Sequence, residues 1–362
     1  MNWKSVIPVA ILLATIIAVQ GVTHALDKDY YLTQLTMAVY YSMVVIALCL
    51  VMGYAGQVSL GHGAFFAVGG YTTAFLTTHS FSPYEGTVWA GWLKQAHVFI
   101  LKDDLFGNPI MTVTPWAAFT VALALTALVA CLIGYPALRL TGHYLAMATL
   151  GFGLIVYKII LGTSWLGAAD GITNVPSWTL VKGLTVCGKR DARIENYYIA
   201  CGLVLLLILL LRNLLRSRVG RALQAMHDRE TAANTMGINT SAIKLKAFVL
   251  SAMVSAVAGV FFTHYTGGIG PSEAGALKSV RYVALTAAGG MTNLWSVAAV
   301  STTINFLSLR DFFGSYDNAV FGGLLIIIIS VSPEGPLKPL GHWIRRVSQG
   351  RAAAKGVDHG AA

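Results

Sequence analysis

Runs of mostly apolar residues recur along this chain, and they restrict its fold more than any other feature. A helix needs roughly 20 such residues to cross the hydrocarbon core of a bilayer. Charged residues make up only 11% of the sequence, whereas soluble proteins carry about 25%. The sequence therefore predicts an all-α, polytopic integral membrane protein surrounded by membrane lipid.

The order of these runs predicts about ten transmembrane helices, with eight as an alternative. The count depends on 280–309, which reads either as a tight hairpin of two short spans or as a re-entrant segment. We expect the first run to be a retained span, although Thr23-His24-Ala25 also reads as a poor cleavage site of a signal peptide. The runs lie at 6–22, 36–52, 53–76, 116–138, 144–161, 197–215, 248–265 and 324–331.

Basic residues are concentrated in two places. Of the 25 Lys and Arg residues, seven lie in 212–246 and five in the C-terminal tail. This clustering is the positive-inside pattern, which places both stretches in the cytoplasm, so the formal net charge of +10 does not indicate a nucleic-acid partner. With the N-terminus inside, the loops 80–114 and 164–196 fall outside. We expect a transmembrane domain over 1–344 and a polar cytoplasmic tail over 345–362.

The basic stretch 212–246 predicts a short amphipathic helix, a glycine turn and a new helix. Gly237 suits the position just after a helix, where φ is positive. The stretch either fixes orientation through its charge alone or docks another protein. The prediction depends on Val219, Ala222, Leu223 and Met226, which recur at helical spacing, and on the candidate N-caps Asn239, Thr240 and Ser241.

A block dense in glycine lies inside the third apolar run, at 53–76 (GYAGQVSLGHGAFFAVGGYTTAFL). Glycine at this density either lets helices pack closely or lets the backbone break beside a cavity. Close packing is the favoured interpretation. The alternative, a solute path, would involve Gly61, His62, Gly63, Gly69 and Gly70, together with Gly289 and Gly290 of the later region 279–332.

Two classes of transport function fit these features. A gradient-driven secondary transporter of small organic solutes would need buried Asp, Glu or His as ion sites. The apolar runs hold almost no acids, and His62, His143 and His264 lie near span ends. A permease driven by a separate ATPase needs a cytoplasmic docking surface, which 212–246 could supply. The chain itself lacks the GxxxxGK[ST] phosphate loop of an ATPase.

An enzymatic function is not indicated. The chain has no HExxH, GxSxG or CxxC motif and no carboxylate pair at a useful spacing, so we expect no catalytic residues. Cys49, Cys131 and Cys201 fall in apolar runs, and Cys187 lies in a polar loop, which is not the pattern of a disulfide framework or a metal site. We expect no cofactor.

Several motifs resemble those of the branched-chain amino acid permeases of ATP-binding cassette (ABC) transporters, specifically the LivM-type subunit. The block at 53–76 is similar to the family's signature. The resemblance continues in order through LRLTGHYLAMATLGFG at 138–153, GAADGITNVP at 167–176, the stretch 217–252 and SPEGPL at 332–337. It covers nearly the whole chain.

The resemblance implies an ABC importer permease in the bacterial cytoplasmic (inner) membrane. It implies three kinds of partner: a second, LivH-type permease, two ATPase subunits and a periplasmic substrate-binding protein. It also implies that 218–241 is the coupling segment, related to the EAA loop that importers seat in a groove of the ATPase. The positions that this implies for coupling are Arg221, Glu230, Ala232, Ala233 and Gly237.

Three departures qualify the resemblance. The general importer pattern places its glycine six residues after the glutamate, whereas here Gly237 follows Glu230 by seven. The segment GGMTNLWS at 289–296 has fewer glycines than relatives usually carry, and the loop 80–114 is longer than usual. Relatives import leucine, isoleucine and valine, and others urea, short amides or aromatic acids, so the resemblance leaves the solute open.

Overall fold

The computed structural model describes residues 3–82, 98–103, 109–140, 142–181 and 183–310, together with positions 319, 322, 323 and 326. Helices dominate, as predicted. The last predicted apolar run, 324–331, and the tail 345–362 lie outside the described residues, apart from position 326. The helices are α1 Trp3–Ala25, α2 Tyr30–Leu48, α3 His62–Thr78, α4 Pro115–Ala137, α5 His143–Gly162, α6 Arg193–Arg216, α7 Arg218–Asp228, α8 Glu230–Thr235, α9 Thr240–Thr266, α10 Ala276–Ala288 and α11 Leu294–Leu309.

Within the described ranges, five helices are long and apolar enough to cross a membrane, so the predicted count of about ten spans is not confirmed. Shorter apolar helices, Val9–Ala25 and Leu294–Leu309, accompany them. The long helices are Tyr30–Tyr54, Pro115–Ala137, His143–Gly162, Arg190–Arg216 and Thr240–Thr266.

The centre of the bundle is α2, whose lower part continues as a π-helical turn over Cys49–Tyr54. In its most apolar window, 89% of the residues are buried. A helix that is apolar all round is suited to such a position. It packs against α6, α9 and α11, whereas α4 and α5 expose most of their apolar side chains at the bundle surface.

The described parts of the loops contain three small antiparallel sheets, which the all-α prediction did not include. Strands β1 Phe99–Asp103 and β2 Pro109–Val113 pair with Phe99 opposite Val113. Loop backbone that leaves a helix must find other hydrogen-bond partners, and short strand pairs supply them. The others are β3 Ile172–Thr173 with β6 Gly268–Ile269, and β4 Trp178–Val181 with β5 Leu184–Val186.

The predicted outer loop 164–196 is anchored by Asn196, which is fully buried. Its Nδ2 donates to the backbone oxygens of Ala192 (2.8 Å) and Cys187 (3.0 Å), and its Oδ1 accepts from the Cys187 amide. The Cys187 side chain is consequently only 8% exposed. The loop is therefore ordered by its own hydrogen bonds and is not an extended chain.

The region 280–309 forms two helices, α10 and α11, joined by a tight turn, as in the hairpin interpretation, although α10 begins earlier, at Ala276. Gly289 stands where α10 meets α11: a Cβ there would lie 2.6 Å from Val297 Cα. At 13 residues, α10 is about 20 Å long, which is short of the roughly 30 Å hydrocarbon core. It is therefore a partial span.

Cysteine labelling should test the predicted sidedness. Lys189 and Gln224 are both exposed, in the outer loop and in α7 respectively, whereas buried Cys187 is a poor reporter. In a variant without the four native cysteines, Lys189→Cys should react with an impermeant maleimide added to whole cells. Gln224→Cys should react only after the cytoplasmic side is opened. Reaction of both from one side would contradict the assignment.

Candidate functional site

Helix α7 is amphipathic, as the sequence predicts, although Val219, one of the four residues on which the prediction depended, is 41% exposed and Ala222 is only partly buried. Leu223 and Met226 are buried in the main apolar core of the bundle, at 1% and 3% exposure. Arg221 and Gln224 face outward. Apolar side chains at helical spacing therefore hold α7 against the end of the bundle and leave its basic face free for a partner.

The predicted single short helix is in fact two. The chain becomes extended at Arg229, where φ is −152° and ψ is 98°, and α8 begins at Glu230. Lys244 of α9 pairs with the Glu230 carboxylate at 2.5 Å. Because the partners belong to different helices, this ion pair fastens α8 to the start of α9.

Gly237 ends α8 with φ +81°, as predicted. The Gly237 amide donates to Asn234 O and the Ile238 amide donates to Ala233 O, which is the hydrogen-bond pattern of a Schellman motif. Two residues later, the Asn239 side chain accepts from the Ala242 amide and caps α9, again as predicted. The turn is thus fixed by local backbone geometry.

The pair α7–α8, residues 218–235, presents a small exposed surface at this end of the bundle. Ala232 is exposed, whereas Ala233 is 4% exposed and packs inward. Met236, at the tip, is 83% exposed. A surface of small and flexible apolar side chains, flanked by Arg221, can fit closely into a groove of another protein. That Arg221, Glu230, Ala232, Ala233 and Gly237 act in coupling stays a prediction.

Helix α7 also contacts the broken part of the glycine block. A Cβ on Gly56, where φ is +67°, would lie 2.8 Å from His227 Nδ1. Just before it, the π-turn Cys49–Tyr54 meets the turn between α10 and α11, since the Tyr54 hydroxyl donates to Thr292 O. Helix α7 therefore contacts the broken segment directly, and this segment adjoins the π-turn that meets the turn between α10 and α11.

Residues 55–61 are not helical, so α3 starts only at His62, inside the bundle. Such a break is tolerated where protein surrounds it. Both ring nitrogens of His62 are bonded: Nε2 lies 2.8 Å from Ser251 Oγ and Nδ1 lies 3.1 Å from Ser59 Oγ. Because Ser251 Oγ donates to Ala47 O, it accepts from Nε2–H. His62 is 1% exposed and acts as a packing and hydrogen-bonding group.

Five of the six glycines assigned to a solute path lie against other protein atoms. A Cβ on Gly69 would lie 2.6 Å from Ala256 O, and one on Gly61 would lie 3.0 Å from Thr149 O. Such contacts support the close-packing interpretation. That these positions also line a path stays a prediction. The remaining contacts are Gly63 with Ser279, Gly70 with Ile269 and Thr263, and Gly289 with Val297, while Gly290 has φ +81° in the turn.

The sequence analysis missed three features of the site. Gly259 of α9 contacts α3 backbone, and Lys244 pairs with Glu230. Glu273, which lies outside the predicted apolar runs, is 7% exposed inside the bundle and pairs with Lys278. A signal existed: an acid and a lysine five residues apart, between two apolar helices, are candidates for an ion pair within the membrane.

The family of the chain follows from comparison with known proteins. Residues 30–329 match the family model described as branched-chain amino acid transport system / permease component. The chain belongs to this family. It is 30% identical over 324 residues to the high-affinity branched-chain amino acid transport system permease protein LivM of Salmonella typhimurium, covering 83% of this chain and 68% of the relative.

Other family members give the same result. LivM of Escherichia coli strain K12 is 30% identical over 326 residues, with 83% and 68% coverage. The permease protein LivH of the same strain is 23% identical over 319 residues, covering 85% of this chain and 96% of LivH. No solved structure matches the chain. The chain is thus a multi-pass membrane permease component, a class of transport protein rather than of enzyme.

Proposed function

We propose that this chain is the transmembrane permease subunit of an ABC importer in the bacterial cytoplasmic membrane. It moves branched-chain amino acids, or similar small zwitterionic or apolar solutes, with energy from a separate ATPase. The α7–α8 surface carries the proposal, because it is exposed, it ends in a Schellman motif, and its helix α7 contacts the broken segment at Gly56.

The proposed partners follow from the relatives. Their names place LivM and LivH in high-affinity branched-chain amino acid transport systems. We assign a LivH-type permease as the second membrane subunit, two ATPase subunits at the cytoplasmic end and a periplasmic binding protein at the outer end. The folded loops at the outer end, with Trp178 buried at 1% exposure, give the binding protein an ordered surface.

Motion of the ATPase reaches the bundle through contacts on α7. His227 contacts Gly56, and the adjoining turn Cys49–Tyr54 meets Met291, whose carbonyl oxygen would lie 1.8 Å from a Cβ on Gly53. Met291 stands in the turn between α10 and α11. A shift of α7 therefore moves the broken end of α3 and the α10–α11 pair together, which is the kind of coupled rigid element that switching requires.

A gradient-driven transporter is the second candidate, and buried Glu273 is the observation that favours it. An acid within a bundle can carry a coupling proton. Here, however, Glu273 is paired with Lys278 and accepts from Tyr41 OH, so its charge is already compensated.

Reconstitution separates the two candidates. The chain is purified with a LivH-type permease and two ATPases, placed in proteoliposomes, and given binding protein loaded with radiolabelled leucine. We expect uptake that requires ATP and is unchanged by a protonophore or by removal of the sodium gradient. Liposomes without the ATPases are the control. Uptake without ATP that collapses with the protonophore would replace the proposal by the gradient-driven function.

A further inference from the structure

A charged pair lies about halfway through the bundle, where the chain returns from its outer end. Glu273 and Lys278 flank the start of α10. Glu273 contacts Tyr41 of α2, which follows Tyr30 by about 16 Å at 1.5 Å per residue and precedes Tyr54 by about 20 Å. The pair is therefore near the midplane, where ionisable groups are costly and mark functional sites.

The pair is built into a small polar network. Lys278 Nζ donates to the Glu273 carboxylate oxygen Oε1 and, at 3.1 Å, to the hydroxyl of Tyr41. The Tyr41 hydroxyl in turn donates to the same Oε1 at 3.0 Å. Lys278 Nζ also lies 4.7 Å from the centre of the Tyr41 ring, in a cation–π contact. Both hydrogen bonds to Glu273 end on Oε1 and leave Oε2 without a partner among the described residues.

Polar atoms beside the pair are buried and lack a hydrogen-bond partner among the described residues. They are the second Glu273 oxygen, Oε2, and the hydroxyls of Ser279 and Tyr282. The three side chains are 7%, 2% and 2% exposed. Buried polar groups are nearly always satisfied by protein or by water, so these three atoms, which lie within ten residues of sequence, are available to hydrogen-bond water or a polar ligand.

The site opens to the surface of the subunit on one side. The Lys278 side chain is 30% exposed. Its neighbours Leu277 and Val280 are 83% and 46% exposed. Lys278 thus extends from an exposed face of α10 to the buried Glu273 carboxylate. A ligand that approaches along this face would contact Lys278 first.

Two helix N-termini meet at this site. Helix α3 begins at His62 and α10 at Ala276, and a Cβ on Gly63 would lie 2.6 Å from Ser279 Oγ and 3.4 Å from Glu273 O. Half-length helices whose N-termini point into a membrane protein direct their positive dipole ends at anionic groups. The N-terminal ends of α3 and α10 stabilise the negative charge of the Glu273 carboxylate. They would stabilise a ligand carboxylate in the same way.

We propose that Glu273 and Lys278 are the contacts of this subunit with the transported zwitterion. Lys278 binds the carboxylate of the solute, and Glu273, through Oε2, binds its ammonium group, with Ser279 and Tyr282 hydrogen-bonding to the same solute. A zwitterion exchanges charges one for one with the internal pair, so no unpaired charge is left at the midplane. This inference rests on the proposed import function.

Removing both charges together tests the proposal. The double variant Glu273→Gln/Lys278→Met leaves no unpaired buried charge, and replacing a buried pair by neutral groups is often neutral for stability. We expect the complex to assemble and to hydrolyse ATP when loaded binding protein is added. The amount of leucine imported for each ATP hydrolysed should be at least tenfold lower. Lys158→Met, at an exposed position on α5, is the matched lysine control and should import normally.

Removing single hydroxyls gives an independent measurement if the double variant does not assemble. A hydroxyl without a partner stabilises nothing, so Ser279→Ala and Tyr282→Phe should leave assembly unchanged. We expect each to lower leucine import severalfold in the assembled complex. Import within twofold of the parent protein in both of them, or in the assembled double variant, would overturn the proposal. Absence of ATP-driven leucine import by the parent complex itself would instead refute the proposed function.

Discussion

Gly259→Ala should prevent the bundle from assembling. A Cβ at this position would lie 2.0 Å from Phe66 O and 3.2 Å from the Gly70 amide nitrogen. Both atoms belong to the α3 backbone, which no side-chain rotation can move aside. Overpacking a well-packed core costs about 1–3 kcal/mol, occasionally more, and this clash requires two long helices to separate. We expect the folded protein to be destabilised by an amount at or above the upper end of that range.

The measurement is the yield of monodisperse protein and its melting temperature in detergent. Gly202→Ala is the matched control, because Gly202 lies in helix α6 and a Cβ there would have no atom within 4 Å. Gly69→Ala should behave like Gly259→Ala, since its Cβ would meet Ala256 O and Cα on the opposite helix. Equal melting temperatures for Gly259→Ala and Gly202→Ala would show that α3 and α9 do not cross as closely as described.

The sequence identifies one of the two helices in a close contact but not its partner. The density of glycine in 53–76 indicates that another backbone approaches α3. It does not say which backbone approaches, because glycine has no side chain whose chemistry could identify the partner helix. The partner glycine, Gly259, stands alone in an apolar helix and gives no comparable pattern. Only the three-dimensional arrangement pairs it with Phe66 and Gly70.

Local geometry was more predictable than burial. The turn at Gly237 and the cap at Asn239 depend on hydrogen bonds within a few residues, so the sequence alone predicts them. The buried position of Glu273 depends on Tyr41, which is 232 residues away. Its neighbours Pro271 and Ser272 read as a loop, and no local pattern shows that this loop returns into the bundle.

The predicted span count is not confirmed, for a related reason. Hydropathy counts apolar runs, but it does not show where a helix starts within the bilayer. Helix α3 starts at His62, inside the bundle, and α10 starts at Ala276, near the midplane. Helix α10 is too short to span the bilayer alone. Both helices are preceded by irregular chain held by protein contacts, an arrangement that membranes tolerate only where protein surrounds it.

Gly237→Val should uncouple the importer while the transmembrane bundle remains folded. A Cβ at position 237 would have open space around it, so the substitution causes no clash. Its effect comes from the backbone, since φ is +81°, and a β-branched residue there is strained by about 1–3 kcal/mol. Relief of that strain breaks the two bonds that close α8, Gly237 N–H to Asn234 O and Ile238 N–H to Ala233 O. Ala232 and Met236 then lose their fixed positions.

Gly237→Asn is the matched control, because asparagine tolerates the left-handed conformation far better than valine does. If α8 docks the ATPase, Gly237→Val should lose the ATPase on co-purification, or keep it and hydrolyse ATP without importing leucine. Gly237→Asn should retain both properties. If 212–246 acts only through its positive charge, neither variant changes anything, because neither alters a charge. Normal co-purification and normal import for Gly237→Val would therefore remove the docking role and leave the basic stretch as an orientation signal.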